Sequence, residues 1–146
     1  MNARRLGLGL LLLTLSSAAV AVDDCRPVIE RPWVRAAPSA AAAMAGYLEL
    51  HNPCDAAIEV VEVESRDFAM PMIHRTMEID GISRMREAGT LTVAPGERLR
   101  FEPGGLHLML MKPLRPLAEG DSAGIRLVLA DGRRLFAEYP VLRQAP

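Results

Sequence analysis

The sequence of 146 residues is poor in aromatic side chains and in cysteine, with one Trp, two Tyr, three Phe and two Cys. It has no basic run and no patch in which basic and aromatic residues alternate, which argues against nucleic-acid binding. It contains three His, no Gly-x-Ser-x-Gly or His-Glu-x-x-His motif and no phosphate-binding glycine loop. We therefore expect neither a nucleic-acid-binding protein nor an enzyme.

The N-terminus combines a basic start, a short apolar run and a small-residue cleavage site that ends at Ala21, as in a secretory signal peptide. The run is too short to span a membrane, and no later segment has the roughly 20 apolar residues that spanning requires. We expect cleavage after residues 1–21, which leaves one periplasmic domain, residues 22–146. Retention as a membrane anchor is the alternative. Lipidation at Cys25 is disfavoured, because acidic residues precede it where a lipobox has small ones.

The rest of the chain alternates apolar and polar residues over short stretches that are separated by turn residues. The candidate strands are 33–35, 46–51, 58–64, 73–79, 82–87, 90–93, 98–102, 106–111, 125–130 and 134–139. The Ala-rich segment 38–44 is expected to be a helical turn or a loop, and no long helical period follows the signal peptide. The pattern predicts an all-β sandwich or barrel.

Asp80 and Gly81 predict a hairpin with a two-residue type I′ turn. The resulting register places His74 opposite Glu87 and one diagonal step from Met85, on the same face. Their alpha carbons are then roughly 7–8 Å apart, within reach of long side chains that meet at one ion. The hairpin therefore aligns one imidazole with one thioether.

The later stretch Leu-His-Leu-Met-Leu-Met sends its leucines to one face and His107, Met109 and Met111 to the other. Taken singly, such residues are more often ordinary strand or core residues than ligands. Two imidazoles and two thioethers together form a neutral, polarizable set that, among the common biological metals, Cu(I) prefers. The candidate metal ligands are His74, Met85, His107 and Met109.

Four other methionines lie near these candidates. Met111 is expected to pack beside the site, with a spare thioether ligand as the alternative. Met77 is on the strand face away from the candidate ligands and is expected in the core. Met70 and Met72 flank Pro71 in a segment too irregular to place, where they either pack or shield the site from water.

The spacing of the four candidates resembles the H-x10-M-x21-H-x-M signature of the periplasmic Cu(A) chaperone family. Similar flanking features include Trp-Val-Arg at 33–35, Gly-Tyr-Leu at 46–48 and Gly-Gly-Leu-His-Leu-Met at 104–109. The resemblance covers residues 33–139 and implies a cupredoxin-like β-sandwich or barrel that binds one Cu(I) ion. It also implies delivery of copper to the Cu(A) centre of cytochrome c oxidase subunit II, alongside a thiol-bearing copper chaperone.

Cys25 and Cys54 most simply form a disulfide in an oxidising periplasm. Copper ligation by the thiols, free thiols and an intermolecular bond are the alternatives. A blue-copper electron carrier would need a Cys within a His₂Cys set, and both cysteines lie upstream of the motif. Copper storage or resistance also stays open, because sequence does not distinguish storage from delivery.

Overall fold

The computed structural model describes residues 25–38 and 41–146, so the predicted signal peptide lies outside the described residues. The described chain is all-β, as the alternation predicts, and none of its segments is a helix that could cross a membrane. The strands are β1 (Val28–Arg35), β2 (Ala43–His51), β3 (Ile58–Ser65), β4 (Phe68–Ile79), β5 (Ile82–Glu87), β6 (Leu91–Val93), β7 (Arg98–Phe101), β8 (Leu106–Pro113), β9 (Ser122–Leu129) and β10 (Arg134–Leu142).

The strands form a continuous sheet in the order β5-β4-β8-β2-β1-β10-β9-β3-β6, and β7 also pairs with β2. The parallel pairing of β1 with β10 joins two otherwise antiparallel halves. Buried side chains from both halves, such as Leu108 and Ile125, belong to one hydrophobic core. The described residues therefore form a single cupredoxin-like β domain, and the predicted fold class is confirmed.

Strand β8 is anchored in this core by its alternating leucines. Leu108 and Leu110 have no exposed surface, and Gly46 of β2 is paired with Leu108. A Cβ atom at Gly46 would lie 3.2 Å from the Leu108 Cβ, so the glycine allows β2 to pack closely against β8. The face of β8 away from the core is thereby held in a fixed position.

Strands β1, β2, β4 and β9 begin three to five residues earlier than the sequence predicts. β2 includes the end of the Ala-rich segment, because Ala43 and Ala45 pair with β8; the expectation of a helical turn or loop is wrong there. β4 continues through Pro71, which pairs with β8. Strand β5 pairs with β4 only from His74 onward, so the missing N–H of Pro71 interrupts no hydrogen bond to β5. The additional residues of β4 extend the strand face on which His74 lies.

Candidate metal centre

The β4–β5 hairpin has the turn and the register that the sequence predicts. Asp80 and Gly81 have φ angles of 52° and 73°, and a type I′ turn requires positive values at both central residues. Met85 lies directly opposite Thr76, which is two residues beyond His74 on β4. His74 and Met85 are therefore diagonal neighbours on the same face of the hairpin.

Strand β8 places the other two candidates beside the first two. His107 is directly opposite His74 in the β4–β8 ladder. Their ring centroids are 6.1 Å apart and the ring planes meet at 76°. Met109 follows two residues after His107 and so occupies the same strand face. All four candidates thus lie on one face of three neighbouring strands, β5, β4 and β8.

Each imidazole has one nitrogen that no hydrogen bond occupies in the described chain. His107 Nδ1 lies 3.0 Å from the Gly105 carbonyl oxygen, which only accepts, so Nδ1 carries the hydrogen and Nε2 keeps its lone pair. His74 Nδ1 is buried and has no hydrogen-bond partner. An unpaired buried nitrogen costs about 1–3 kcal/mol. Coordination of a metal ion at His74 Nδ1 would remove this cost.

The four side chains differ in their access to solvent. His107 is 5% exposed and Met85 is 50% exposed, while His74 and Met109 are half-buried. Met85 lies on β5, an edge strand with every residue exposed. One end of the site is therefore protected by the protein, and the other is accessible to a second molecule.

The cysteines take no part in this arrangement. Cys25 and Cys54 form a disulfide with an S–S distance of 1.99 Å, as predicted, and no free thiol remains in the described chain. A His₂Cys blue-copper set needs a thiolate, which this disulfide does not supply. Across residues 25–38 and 41–146, no three His, Cys, Asp or Glu side chains are grouped as metal ligands.

One of the other methionines is not where the sequence predicts it. Met77 is 37% exposed, so its expected place in the core is wrong. The alternation is correct, because Met77 is indeed on the opposite face from His74. However, β4 extends beyond the core at this point and pairs there only with the exposed strand β5. An inward-facing position at the tip of the hairpin therefore has little to pack against.

The structure also contains a row of paired methionines that the sequence pattern did not predict. Met70 lies directly opposite Met111, and Met72 lies directly opposite Met109. The spacing of two residues from Met70 to Met72 and from Met72 to His74 is the signal that could have placed them on one face. Pro71 obscured this signal, because proline is usually read as the end of a strand.

Comparison with protein families and curated proteins gives consistent results. The model of a family described as "Putative lipoprotein LpqE-like" matches residues 28–141. "Putative lipoprotein Lxx21020" of Leifsonia xyli subsp. xyli is 30% identical over 114 residues, which make up 77% of this chain and 68% of that protein. The matched residues include all ten strands except the last residue of β10.

Solved structures share the fold. The apo PCuAC domain from PmoF1 aligns with a TM-score of 0.67 at 21% identity, covering 84% of this chain and 98% of that domain. The copper-bound PCuAC domain from PmoF2 gives 0.66 at 23% identity, covering 81% and 93%. The Cu(I) form of DR1885 from Deinococcus radiodurans gives 0.64 at 28% identity, covering 86% and 83%. These similarities support the cupredoxin-like architecture.

Proposed function

This chain belongs to the LpqE-like family, which is the periplasmic Cu(A) chaperone family, and we propose that it is a periplasmic copper chaperone. It binds one Cu(I) ion through four side chains, His74, Met85, His107 and Met109. The observation that carries the proposal is the direct pairing of His74 with His107, each with a ring nitrogen left without a partner. Copper-bound structures of PmoF2 and DR1885 support the choice of metal.

The ligand types suit Cu(I) in an oxidising compartment. Thioethers and imidazoles are neutral, and thioether sulfur selects Cu(I) over harder cations. A thiolate site would be exposed to disulfide formation outside the cytoplasm, whereas a methionine sulfur cannot form a disulfide. The site therefore keeps its ligands under conditions in which the Cys25–Cys54 pair is oxidised.

Delivery proceeds by ligand exchange and leaves the copper in its Cu(I) state. A thiolate of the acceptor approaches Met85, the most exposed of the four ligands, and replaces its thioether on copper. The remaining ligands then leave in turn, with buried His107 last. Neutral ligands hold Cu(I) less firmly than a thiolate-rich acceptor, so the transfer is downhill. The proposed acceptor is the Cu(A) centre of cytochrome c oxidase subunit II, with a thiol-bearing chaperone as a second partner.

For localisation, we propose export through a signal peptide over residues 1–21, cleaved after Ala21. The disulfide between Cys25 and Cys54 fits an oxidising environment. The sulfur of Cys25 is used in that bond, so in this folded state it does not also carry a lipid.

A transfer experiment separates delivery from storage. Mature protein loaded with one equivalent of Cu(I) is mixed with the apo copper domain of cytochrome c oxidase subunit II, and copper is measured in each protein after separation. Delivery predicts that copper moves to the oxidase domain. Retention by the loaded protein would contradict delivery and favour storage. A double variant, His74→Ala with His107→Ala, is the control, because it is not expected to load.

A further inference from the structure

The methionine row on β4 and β8 continues the proposed site along the same face. The paired positions run from His74 with His107, through Met72 with Met109, to Met70 with Met111. On the far side of β8, Ala45 and Ala43 of β2 are the partners of Met109 and Met111. Alanine side chains are short, so these two neighbours restrict the flexible methionine side chains less than larger residues would.

Ordinary core packing does not account for this row. Met70 is 40% exposed, and Met72 and Met111 are half-buried. By contrast, Met44 is 6% exposed and lies in the hydrophobic core, where methionine commonly fills gaps. A thioether that stays partly in water gains only part of the free energy of burial. The three surface methionines therefore call for a different explanation.

We propose that Met70, Met72 and Met111 form a second Cu(I) position beside the four-ligand site. Met70 and Met111 are directly opposite, with Cβ atoms about 5 Å apart, and Met72 is a diagonal neighbour of Met111. Methionine has three flexible side-chain bonds, so three sulfur atoms at these positions can reach one ion. A neutral set of three thioethers selects Cu(I) or Ag(I) over Zn²⁺ and Ca²⁺.

This position deepens the proposed function and rests on it for its role. Met72 is directly opposite Met109, so an ion held by the three methionines can pass to the four-ligand site by exchange of one thioether for another. No electron is transferred in that step. The three methionines lie at the opposite end of the row from Met85, the proposed point of release. Copper therefore enters at the weakly binding methionines at one end of the row and leaves from Met85 at the other.

The test is a Cu(I) titration of the mature protein under anaerobic, reducing conditions against competing chelators of graded affinity. Wild type is expected to bind two equivalents, one tightly and one weakly. The triple variant Met70→Leu, Met72→Leu, Met111→Leu keeps apolar volume at each position and is expected to bind one equivalent with unchanged tight affinity. Met77→Leu is the matched control, because Met77 is an exposed methionine on the other face of β4; two equivalents are expected.

A four-ligand variant distinguishes failure of this inference from failure of the proposed function. His74→Ala, Met85→Leu, His107→Ala and Met109→Leu together are expected to remove the tight equivalent and retain the weak one. A wild-type protein that binds only one equivalent, or a triple variant that still binds two, would overturn the second position. If the four-ligand variant bound copper as wild type does, the proposed four-ligand site would fail instead.

A measurement on wild-type protein avoids dependence on the folding of variants. Methionine methyl resonances are followed by NMR as Ag(I), a redox-inert mimic of Cu(I), is added. The second equivalent is expected to shift the resonances of Met70, Met72 and Met111 and to leave that of Met77 in place. Shifts confined to Met85 and Met109 throughout the titration would contradict the second position.

Discussion

The protein buries carboxylates and imidazoles in two different ways. Glu49, 6% exposed, accepts hydrogen bonds from Arg31, Arg98 and Arg100 at 2.9, 3.0 and 3.0 Å. The bond from Arg98 is the main cause that lowers the pKa of Glu49; burial opposes it, and Arg100 and Arg31 add to the lowering. Three arginine side chains thus stabilise the charged form of Glu49, although Glu30, another carboxylate, is its partner in the β1–β2 ladder.

Asp67, 5% exposed, is held in the same way at another part of the fold. Burial is the largest influence on its pKa and raises it, but the N–H of Gly124 at 2.8 Å and the Arg115 guanidinium at 2.7 Å more than compensate. The net pKa of Asp67 is therefore lowered. The carboxylate joins β9 and the segment after β8 to the start of β4.

The imidazoles of His74 and His107 differ from these carboxylates because their hydrogen bonding is incomplete. His107 has one carbonyl partner, and His74 Nδ1 has none. Buried polar groups in native proteins are nearly always paired, so an unpaired group needs an explanation. The described chain leaves two buried side-chain atoms without a partner, His74 Nδ1 and the Tyr139 hydroxyl. Of the two, His74 Nδ1 lies beside another imidazole, that of His107, and this position is the reason for assigning it to a ligand site.

The substitution His74→Leu is expected to weaken copper binding strongly and to change the stability of the fold little. Loss of the half-buried imidazole ligand is expected to lower Cu(I) affinity by more than the roughly 10- to 100-fold that loss of an outer partner costs. The free energy of unfolding of the copper-free protein is expected to change by less than about 1 kcal/mol, because Nδ1 has no bond to lose. Chelator competition and urea unfolding measure the two effects. Large destabilisation with intact copper binding would reverse the assignment.

The substitution Asp67→Asn is expected to lower the stability of the fold and to leave copper binding nearly unchanged. Removing a buried, paired charge costs about 3–5 kcal/mol. We expect about 2–3 kcal/mol here, because the partner Arg115 is 45% exposed and partly screened by water. Cu(I) affinity is expected to stay within about twofold, since the Asp67 carboxylate contacts Gly124, Arg115 and Arg66, none of which is a candidate ligand. Urea unfolding of the copper-free protein checks the first value, and an unchanged midpoint would contradict it.

A smaller effect is expected for Met85→Leu. Met85 is the most exposed candidate ligand, so its loss is expected to weaken Cu(I) binding about tenfold, equivalent to about 1.4 kcal/mol. The matched control is Met77→Leu on the opposite hairpin face, with no change expected. Equal effects of the two substitutions on Cu(I) affinity in a chelator competition would contradict the placement of the copper site on the Met85 face of the hairpin.

The smallest expected effect is on the pH dependence of stability. Because the folded-state pKa values of Glu49 and Asp67 are lowered from 4.5 and 3.8, their stabilisation is fully present above these values and is lost as pH falls below them. The stability of wild type is therefore expected to decline more steeply below about pH 4 than that of Asp67→Asn. Unfolding curves at pH 3 to 7 test this, and parallel declines would contradict it.

The sequence predicted local pairing well, because local chemistry determines it. Asp80 and Gly81 alone set the turn, and through it the register of His74 with Met85. The two cysteines had only one possible partner within the chain, and their disulfide is confirmed. These features depend on few residues and on no long-range packing.

The remaining features depend on contacts between distant segments. His74 and His107 are 33 residues apart in the sequence. Their pairing follows from the order of the strands in the whole sheet. The exposure of Met77 depends on where the core ends, which alternation does not reveal. The carboxylate Glu49 carries no sequence signal, because its arginine partners come from two other strands.

Copper K-edge X-ray absorption on mature protein loaded with one equivalent of Cu(I) measures the ligands of the ion directly. The four-ligand site predicts a first shell of two nitrogen and two sulfur scatterers, with the outer-shell scattering of two imidazole rings. A shell without imidazole, or one without sulfur, would contradict the central claim that His74, His107, Met85 and Met109 meet at a single copper ion.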